Sequence, residues 1–280
     1  MKQPSISPVV KWVGGKRQLL SALLPYVEKQ HIATYIEPFI GGGGALLLAL
    51  LPEKAIINDY NEELINVYEV IRDDAEALIQ KLKIHEANHN QDYFYTVRSQ
   101  DRSADFSSLP AVDRAARFLY LNKTCYNGLF RVNAKGQFNV PFGKYKHPNI
   151  VNAEGLTALS KYFQENQVAI YHQDYAAILA KAKPGDFVYL DPPYMPLSVS
   201  SSFTSYTDKG FSYEEQVRLR DECNKLRDKG ISFIESNSDC EAIRELYKDY
   251  TIRTVQASRS INSQGSKRGK INEVLITYGI

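Results

Sequence analysis

No stretch of this sequence stays apolar for long. Its longest apolar run, Ala45 to Leu51, falls far short of the roughly 18 residues that a membrane-spanning helix needs. Cysteine is scarce. Cys125, Cys223 and Cys240 are odd in number and far apart, which gives neither a disulfide framework nor a zinc pattern, and no metal is expected. An excess of one charge is also missing. Against 34 basic residues stand 32 acidic ones, so bulk charge announces no nucleic-acid partner, and any polyanion must be met by cations clustered locally. Met1-Lys2-Gln3-Pro4-Ser5 lacks the apolar stretch of a signal peptide, so cytoplasmic location without membrane contact is the default expectation. What remains, 280 residues of which 44% are hydrophobic, suits one large α/β domain with an insertion, or two modest domains.

The order of segments favours the first. Lys11 to Lys16 reads as a loop before the apolar-periodic stretch Leu19 to Val27. Thr34 to Ile40 reads as a strand ended by Gly41-Gly42-Gly43-Gly44. A helix follows at Ala45 to Leu51, then a second strand, Ala55 to Asp59. Strand, glycine turn, helix, strand and acid is the order of a βαβ cofactor site. Charged helices are expected over Glu62 to Lys83, Asp92 to Arg102 and Val112 to Asn122. Tyr126 to Pro148 is rich in Asn, Gly, Lys and aromatics and reads as a β-hairpin turning at Asn133-Ala134-Lys135-Gly136. The α/β rhythm resumes near residue 155, with strands at Val168 to His172, Phe187 to Leu190, Ile231 to Glu235, Thr251 to Val255 and Glu273 to Tyr278. The expected division is a catalytic domain, 1–61 and 160–280, interrupted by a helical and hairpin insertion over 62–159.

Asp191-Pro192-Pro193-Tyr194 is the sharpest signal. It follows an apolar strand, so it stands at the C-terminal sheet edge where open α/β folds bind ligands. The prolines stiffen the turn and remove two donors, leaving carbonyls as fixed acceptors. A carboxylate and a proline carbonyl held together can each accept from an exocyclic NH2 group and aim its lone pair at an electrophile. Tyr194 offers a flat face for a base. Other elements are ambiguous alone. Asp59 can accept from ribose hydroxyls or cap the Glu62 helix; Asp174 can accept from an adenine amino group or cap a helix of its own. Glu37 to Gly44 is a cofactor turn or merely a flexible one. Lys16 can pair with a carboxylate or be solvated. Arg131, Lys135, Lys144 and Lys146, interleaved with Tyr126, Phe130, Phe138, Phe142 and Tyr145, fit phosphate contact and groove entry, or a solvated hairpin. Arg259, Lys267, Arg268 and Lys270 form a second basic patch or a solvated loop.

These motifs together resemble the Dam-type DNA adenine-N6 methyltransferases, including the GATC-methylating enzymes of Dpn-type restriction systems, over almost the whole chain. Lys11 to Lys16 is similar to the family's N-terminal cofactor motif, Glu37 to Gly43 to its glycine motif, and Asn58-Asp59-Tyr60-Asn61 to its ribose-binding acid. Tyr126 to Asn133 with Phe138 to Tyr145 is similar to its recognition hairpin, and Asp191 to Tyr194 to its catalytic motif. The resemblance implies a Rossmann-like methyltransferase sheet with an inserted DNA-recognition domain, S-adenosyl-L-methionine as cofactor, and a monomer acting on a flipped-out adenine in double-stranded DNA, within GATC. It implies cofactor contacts at Trp12, Lys16, Glu37, Phe39, Gly41, Gly43, Asp59, Asp174 and Asp191, with Asp191, Pro192 and Tyr194 catalytic. It implies DNA contacts at Lys11, Tyr126, Asn127, Leu129, Arg131, Asn133, Pro141, Lys144 and Tyr145. Lys144 departs from an arginine common in the family; a phosphate contact survives that exchange with less bidentate character.

Two rival readings remain at this level. The same chemistry can serve cytosine N4 or a protein glutamine amide, although those enzymes usually carry Ser or Asn where Asp191 stands. A DNA-binding module without catalysis is the other, and intact Asp59, Asp191 and Tyr194 weigh against it.

Overall fold

The computed structural model describes residues 6–12, 16–196, 211–258 and 270–280, with the side chains at 258, 270 and 271 excepted. Gly14-Gly15, the stretch Ser198 to Thr207, and Arg259, Lys267 and Arg268 of the basic patch lie outside the described residues. The chain forms two compact units. Unit 1 comprises Met1–Gly15, Gly41–Leu51 and Asn61–His172, and unit 2 comprises Lys16–Ile40, Pro52–Tyr60 and Gln173–Ile280.

The described residues form seven strands: β1 (Tyr35–Glu37), β2 (Lys54–Asn58), β3 (Gln167–Tyr171), β4 (Phe187–Leu190), β5 (Ser232–Ser238), β6 (Thr251–Ser258) and β7 (Lys270–Tyr278). Six of the seven belong to unit 2, in the order β2-β1-β4-β5-β7-β6. The pairs β1–β2, β1–β4 and β4–β5 are parallel, while β7 runs antiparallel to both β5 and β6. This is the α/β, Rossmann-like sheet that the sequence predicts. The central strands β1 and β4 are buried at every residue, as parallel strands covered on both faces must be. Chain order reverses between β1 and β4, since β1 leads to β2 on one side and is joined by β4 on the other. That reversal is a topological switch point, the place where open α/β sheets bind ligands, and Glu37 and Asp191 stand at the strand C-termini beside it.

Unit 1 is mainly helical. Its longest helix, Glu62–Ala87, is capped by Asn61, whose Oδ1 accepts from the Leu64 amide at 3.1 Å. The helix breaks at Asp74 (φ −151°, ψ 59°), and the Asp74 carboxylate accepts from the Ala77 amide at 3.1 Å, capping a fresh helical start. Helices Gln91–Ser99, Ala111–Thr124 and Ala153–Glu165 complete the scaffold. The expected hairpin within Tyr126 to Pro148 occurs as two single antiparallel bridges, Cys125–Phe142 and Val132–Phe138, with a turn at Asn133–Gly136, and not as a continuous ladder. No described helix is long and apolar enough to cross a membrane.

Candidate active site

In unit 2 the ends of β1, β2 and the segment before Asp174 are joined by one buried amide. Asn58 Nδ2 donates to the carbonyls of Pro38 and Gln173, both at 3.0 Å, and its Oδ1 accepts from the Gln173 amide at 2.8 Å. The side chain is 1% exposed, so its buried amide needs the partners it has. Phe39, Asp59 and Asp174, three expected cofactor residues, each directly follow a residue of this junction. Asp59 is half-buried, and the helix cap that could have explained it is supplied by Asn61 instead. Asp174 does cap its own short helix, accepting from the Ala176 amide at 2.9 Å. It also takes both terminal nitrogens of Arg218, at 2.6 and 3.0 Å, and this pairing, ahead of the backbone bond, holds its carboxyl below the usual range. Arg218 lies over the Tyr175 ring, and Phe39 packs 5.2 Å from Tyr175 and 5.9 Å, edge-on, from Phe211.

Asp191 ends β4. Its carboxylate meets Lys16 Nζ at 2.9 Å, and the same ammonium lies 4.3 Å from the centre of the Tyr194 ring. Lys16 is buried although charged, so both partners compensate for lost hydration. Burial raises the Asp191 pKa above the usual carboxylate value despite Lys16, which opposes the shift. Ser236 Oγ stands 3.4 Å from the same carboxylate. Glu37 is 2% exposed, accepts from the Tyr35 hydroxyl at 2.7 Å, and is raised well above the usual range, first by burial and then by the Asp191 charge. Tyr194 donates its hydroxyl to Glu273 on β7 at 2.8 Å. Pro193 O accepts from Gln216 at 2.9 Å, whereas the Pro192 carbonyl receives no bond from the described residues.

The expected nucleic-acid residues, together with Trp12, Gly41 and Gly43, lie in unit 1. Trp12 stacks on Phe130 at 5.5 Å and covers the glycine turn, where a Cβ at Gly42 would come within 2.2 Å of the Trp12 Cβ. A Cβ at Gly43 would meet Pro8 at 2.3 Å. Asn122, 1% exposed, bonds the Lys11 amide (2.8 Å), the Lys11 carbonyl (2.7 Å) and the Gly128 carbonyl (3.2 Å). Lys11 Nζ sits 4.4 Å from the centre of the Tyr145 ring. Tyr126, Asn127, Arg131, Pro141 and Lys144 are exposed, and Leu129 is half-buried. Arg131 Nε donates to Asn139 at 2.7 Å, whereas Asn133 spends its side chain inside its own turn, on Lys135, Gln137 and the Gln137 amide.

Sequence reasoning did not single out Gln216, Arg218, Ser236, Asn237 or Glu273, or the bonding part of Asn58. The polar run Ser236-Asn237-Ser238, which extends β5 beyond its apolar part, was the one available signal, because polar residues on a buried strand need partners. Among the described residues no group of three His, Cys, Asp or Glu side chains could hold a metal.

A mostly parallel sheet with an acid–proline–proline–tyrosine turn at its switch point is consistent with a Rossmann-like methyltransferase. Residues 12–261 match the family model described as D12 class N6 adenine-specific DNA methyltransferase. The Type II methyltransferase M1.LlaDCHI of Lactococcus lactis subsp. cremoris is 46% identical over 276 residues, covering 98% of this chain and 96% of that one. The Type II methyltransferase M.MjaIII of Methanocaldococcus jannaschii is 39% identical, covering 97% and 98%. The DNA adenine methylase of Escherichia coli K12 is 34% identical, covering 96% and 94%. The chain belongs to the D12 class of N6 adenine-specific DNA methyltransferases. It is an enzyme that methylates adenine in DNA.

Proposed function

We propose that this enzyme methylates the adenine of GATC in duplex DNA, that it takes its methyl group from S-adenosyl-L-methionine, and that Asp191, Pro192 and Tyr194 carry the transfer. The observation that carries the reading is the pair of acceptors at the end of β4: the Asp191 carboxylate and the Pro192 carbonyl, which no described residue bonds. Adenine N6 lies inside the duplex, so the base leaves the stack before it can reach such a pair. Tyr194 gives it a ring face. Asp191 and Pro192 O accept from its NH2 group, which favours a tetrahedral nitrogen with its lone pair directed outward. The gain comes from positioning and fixed dipoles, with no covalent enzyme intermediate.

The cofactor's chemistry suits the donor set of unit 2. S-adenosyl-L-methionine, when bound, supplies an electrophilic sulfonium methyl. Lys16 suits its carboxylate, Asp59 its ribose hydroxyls, and Phe39 beside Asp174 its adenine ring and amino group. Glu37, buried at the same strand edge, supports that wall. In unit 1, Lys11, Lys144 and Tyr145 suit phosphates, and Leu129, Arg131 and Pro141 suit base edges, with Arg131 on guanine. Tyr126 and Asn127 suit the gap left by an extruded base. Asn133 acts by shaping the turn. A monomer in the cytoplasm suffices for one base at a time.

The test is transfer of labelled methyl from S-adenosyl-L-methionine to short duplexes with and without a central GATC, followed by nucleoside analysis. Label in N6-methyladenine only when GATC is present is the expected result. Label in adenine without that preference would remove the site specificity, and label confined to cytosine would remove the reading altogether.

A further inference from the structure

Tyr194 is bracketed by two buried amides that neither the sequence motifs nor the transfer chemistry assigns. On its N-terminal side, Gln216 Nε2, from the helix Tyr213–Asp228, donates to Pro193 O at 2.9 Å. On its C-terminal side, Asn237 Oδ1 accepts from the Met195 amide at 3.2 Å, and Ser238 Oγ donates to Met195 O at 2.6 Å. The amides are bonded to each other: Asn237 Nδ2 donates to Gln216 Oε1 at 3.0 Å and to Glu235 Oε1 at 3.0 Å. Gln216 and Asn237 are both 0% exposed.

Burial makes this arrangement directional. A primary amide has one acceptor end and one donor end, and inside a protein a mismatched end costs its full desolvation. Glu235 accepts from Asn237 Nδ2, so Asn237 Oδ1 must face Met195. The same nitrogen takes Gln216 Oε1, so Gln216 Nε2 must face Pro193. The prolines leave this turn two N–H groups short, and it cannot anchor itself through an ordinary ladder. Its carbonyl positions therefore depend on outside donors.

We propose that Gln216 and Asn237 are positioning residues for methyl transfer, setting the Pro192 carbonyl and the Tyr194 ring against the acceptor base; this rests on the reading of Asp191–Tyr194 as the transfer site. Their effect falls on the rate of the bound complex and leaves its assembly alone, because neither side chain reaches the surface where DNA or cofactor would touch it.

Single-turnover methyl transfer at saturating duplex and S-adenosyl-L-methionine tests this. Gln216→Met keeps the length and removes both bonds; Asn237→Ser shortens the other amide and is the second variant if the first fails to fold. Either is expected to lower the saturated rate at least about tenfold, with half-saturating concentrations of both substrates within about threefold of the parent. Leu226→Ala, buried near the C-terminal end of the same helix, is the control for general loosening. A folded variant with an undiminished rate overturns the proposal, and so does an equal loss in the Leu226→Ala protein. Asp191→Ala separates the two levels. If it leaves transfer intact, the transfer-site reading itself fails; if it abolishes transfer while Gln216→Met does not slow it, only the positioning role fails.

Discussion

Each unit fastens its functional segments with one buried asparagine, but the two hold different things. Asn58 in unit 2 joins strand ends, and Phe39, Asp59 and Asp174, the residues beside that junction, are half-buried. Asn122 in unit 1 joins the Lys11 backbone to the Gly128 turn, and most of the residues expected beyond it to meet DNA are exposed. The first suits a small ligand that must be oriented closely. The second suits a surface that must accept a long, hydrated polyanion and settle onto it. The stiffness of unit 1 lies one layer deeper, in ions. Asp101 accepts from the Phe138 amide at 2.7 Å and pairs with Arg117 at 2.9 Å, with side chains 9% and 7% exposed, while Arg102 bonds the Phe138 carbonyl at 2.9 Å.

The largest effect expected from breaking this contrast is at that ion pair. Asp101→Ala leaves Arg117 charged and buried without its partner, so chemical denaturation should show a loss of about 3–5 kcal/mol. A loss under 1 kcal/mol would mean that water reaches Arg117. Next come the two asparagines as a crossed pair. Asn58→Ala should weaken cofactor binding by about 1–3 kcal/mol and leave duplex affinity unchanged, and Asn122→Ala should do the reverse, as read by calorimetry and gel shift. Equal losses of both affinities in both variants would erase the distinction. Arg131→Ala should lower the preference for GATC over a guanine-substituted duplex by about 1–3 kcal/mol, visible in competition methylation.

The smallest effect is in Glu235, whose carboxyl burial pushes up to about 7 from an ordinary 4.5. A folded-state pKa above the unfolded one means that stability falls as pH rises through this window and stays low above it. Glu235→Gln lacks that loss. Its melting temperature should therefore gain on the parent between pH 5 and pH 8, by about 5 °C. A gap that does not widen with pH would show that Glu235 is not the titrating group.

The strand Phe187–Leu190 and the turn after it were legible because four apolar residues ending in Asp-Pro-Pro leave few alternatives. The glycine turn and the two acids were legible only as a set. The distant partners of Asp174 and of the Asp191–Tyr194 turn were not. Arg218, Gln216 and Glu273 sit 44, 23 and 79 residues from the groups they bond, and nothing local marks them. Gln216 is fully buried in a helix otherwise rich in charge, where a polar residue reads as solvent-facing. The hairpin was legible from its turn residues: the Asn133 amide bonds Gln137 O at 2.9 Å and the Asn139 amide bonds Arg131 O at 3.0 Å, while Asp101 and Arg102, which nothing local marks as partners, bond the outer edge at Phe138.

The break at Asp74 has a practical side. One stretch of 26 residues is two rods in series, and the second begins with its own cap at an exposed position. An inserted peptide elsewhere in that helix would interrupt a continuous ladder of backbone bonds. At Asp74 the ladder is already interrupted, so within this helix it is the point at which a tag, a fluorophore site or a fused domain can be spliced in with least disturbance.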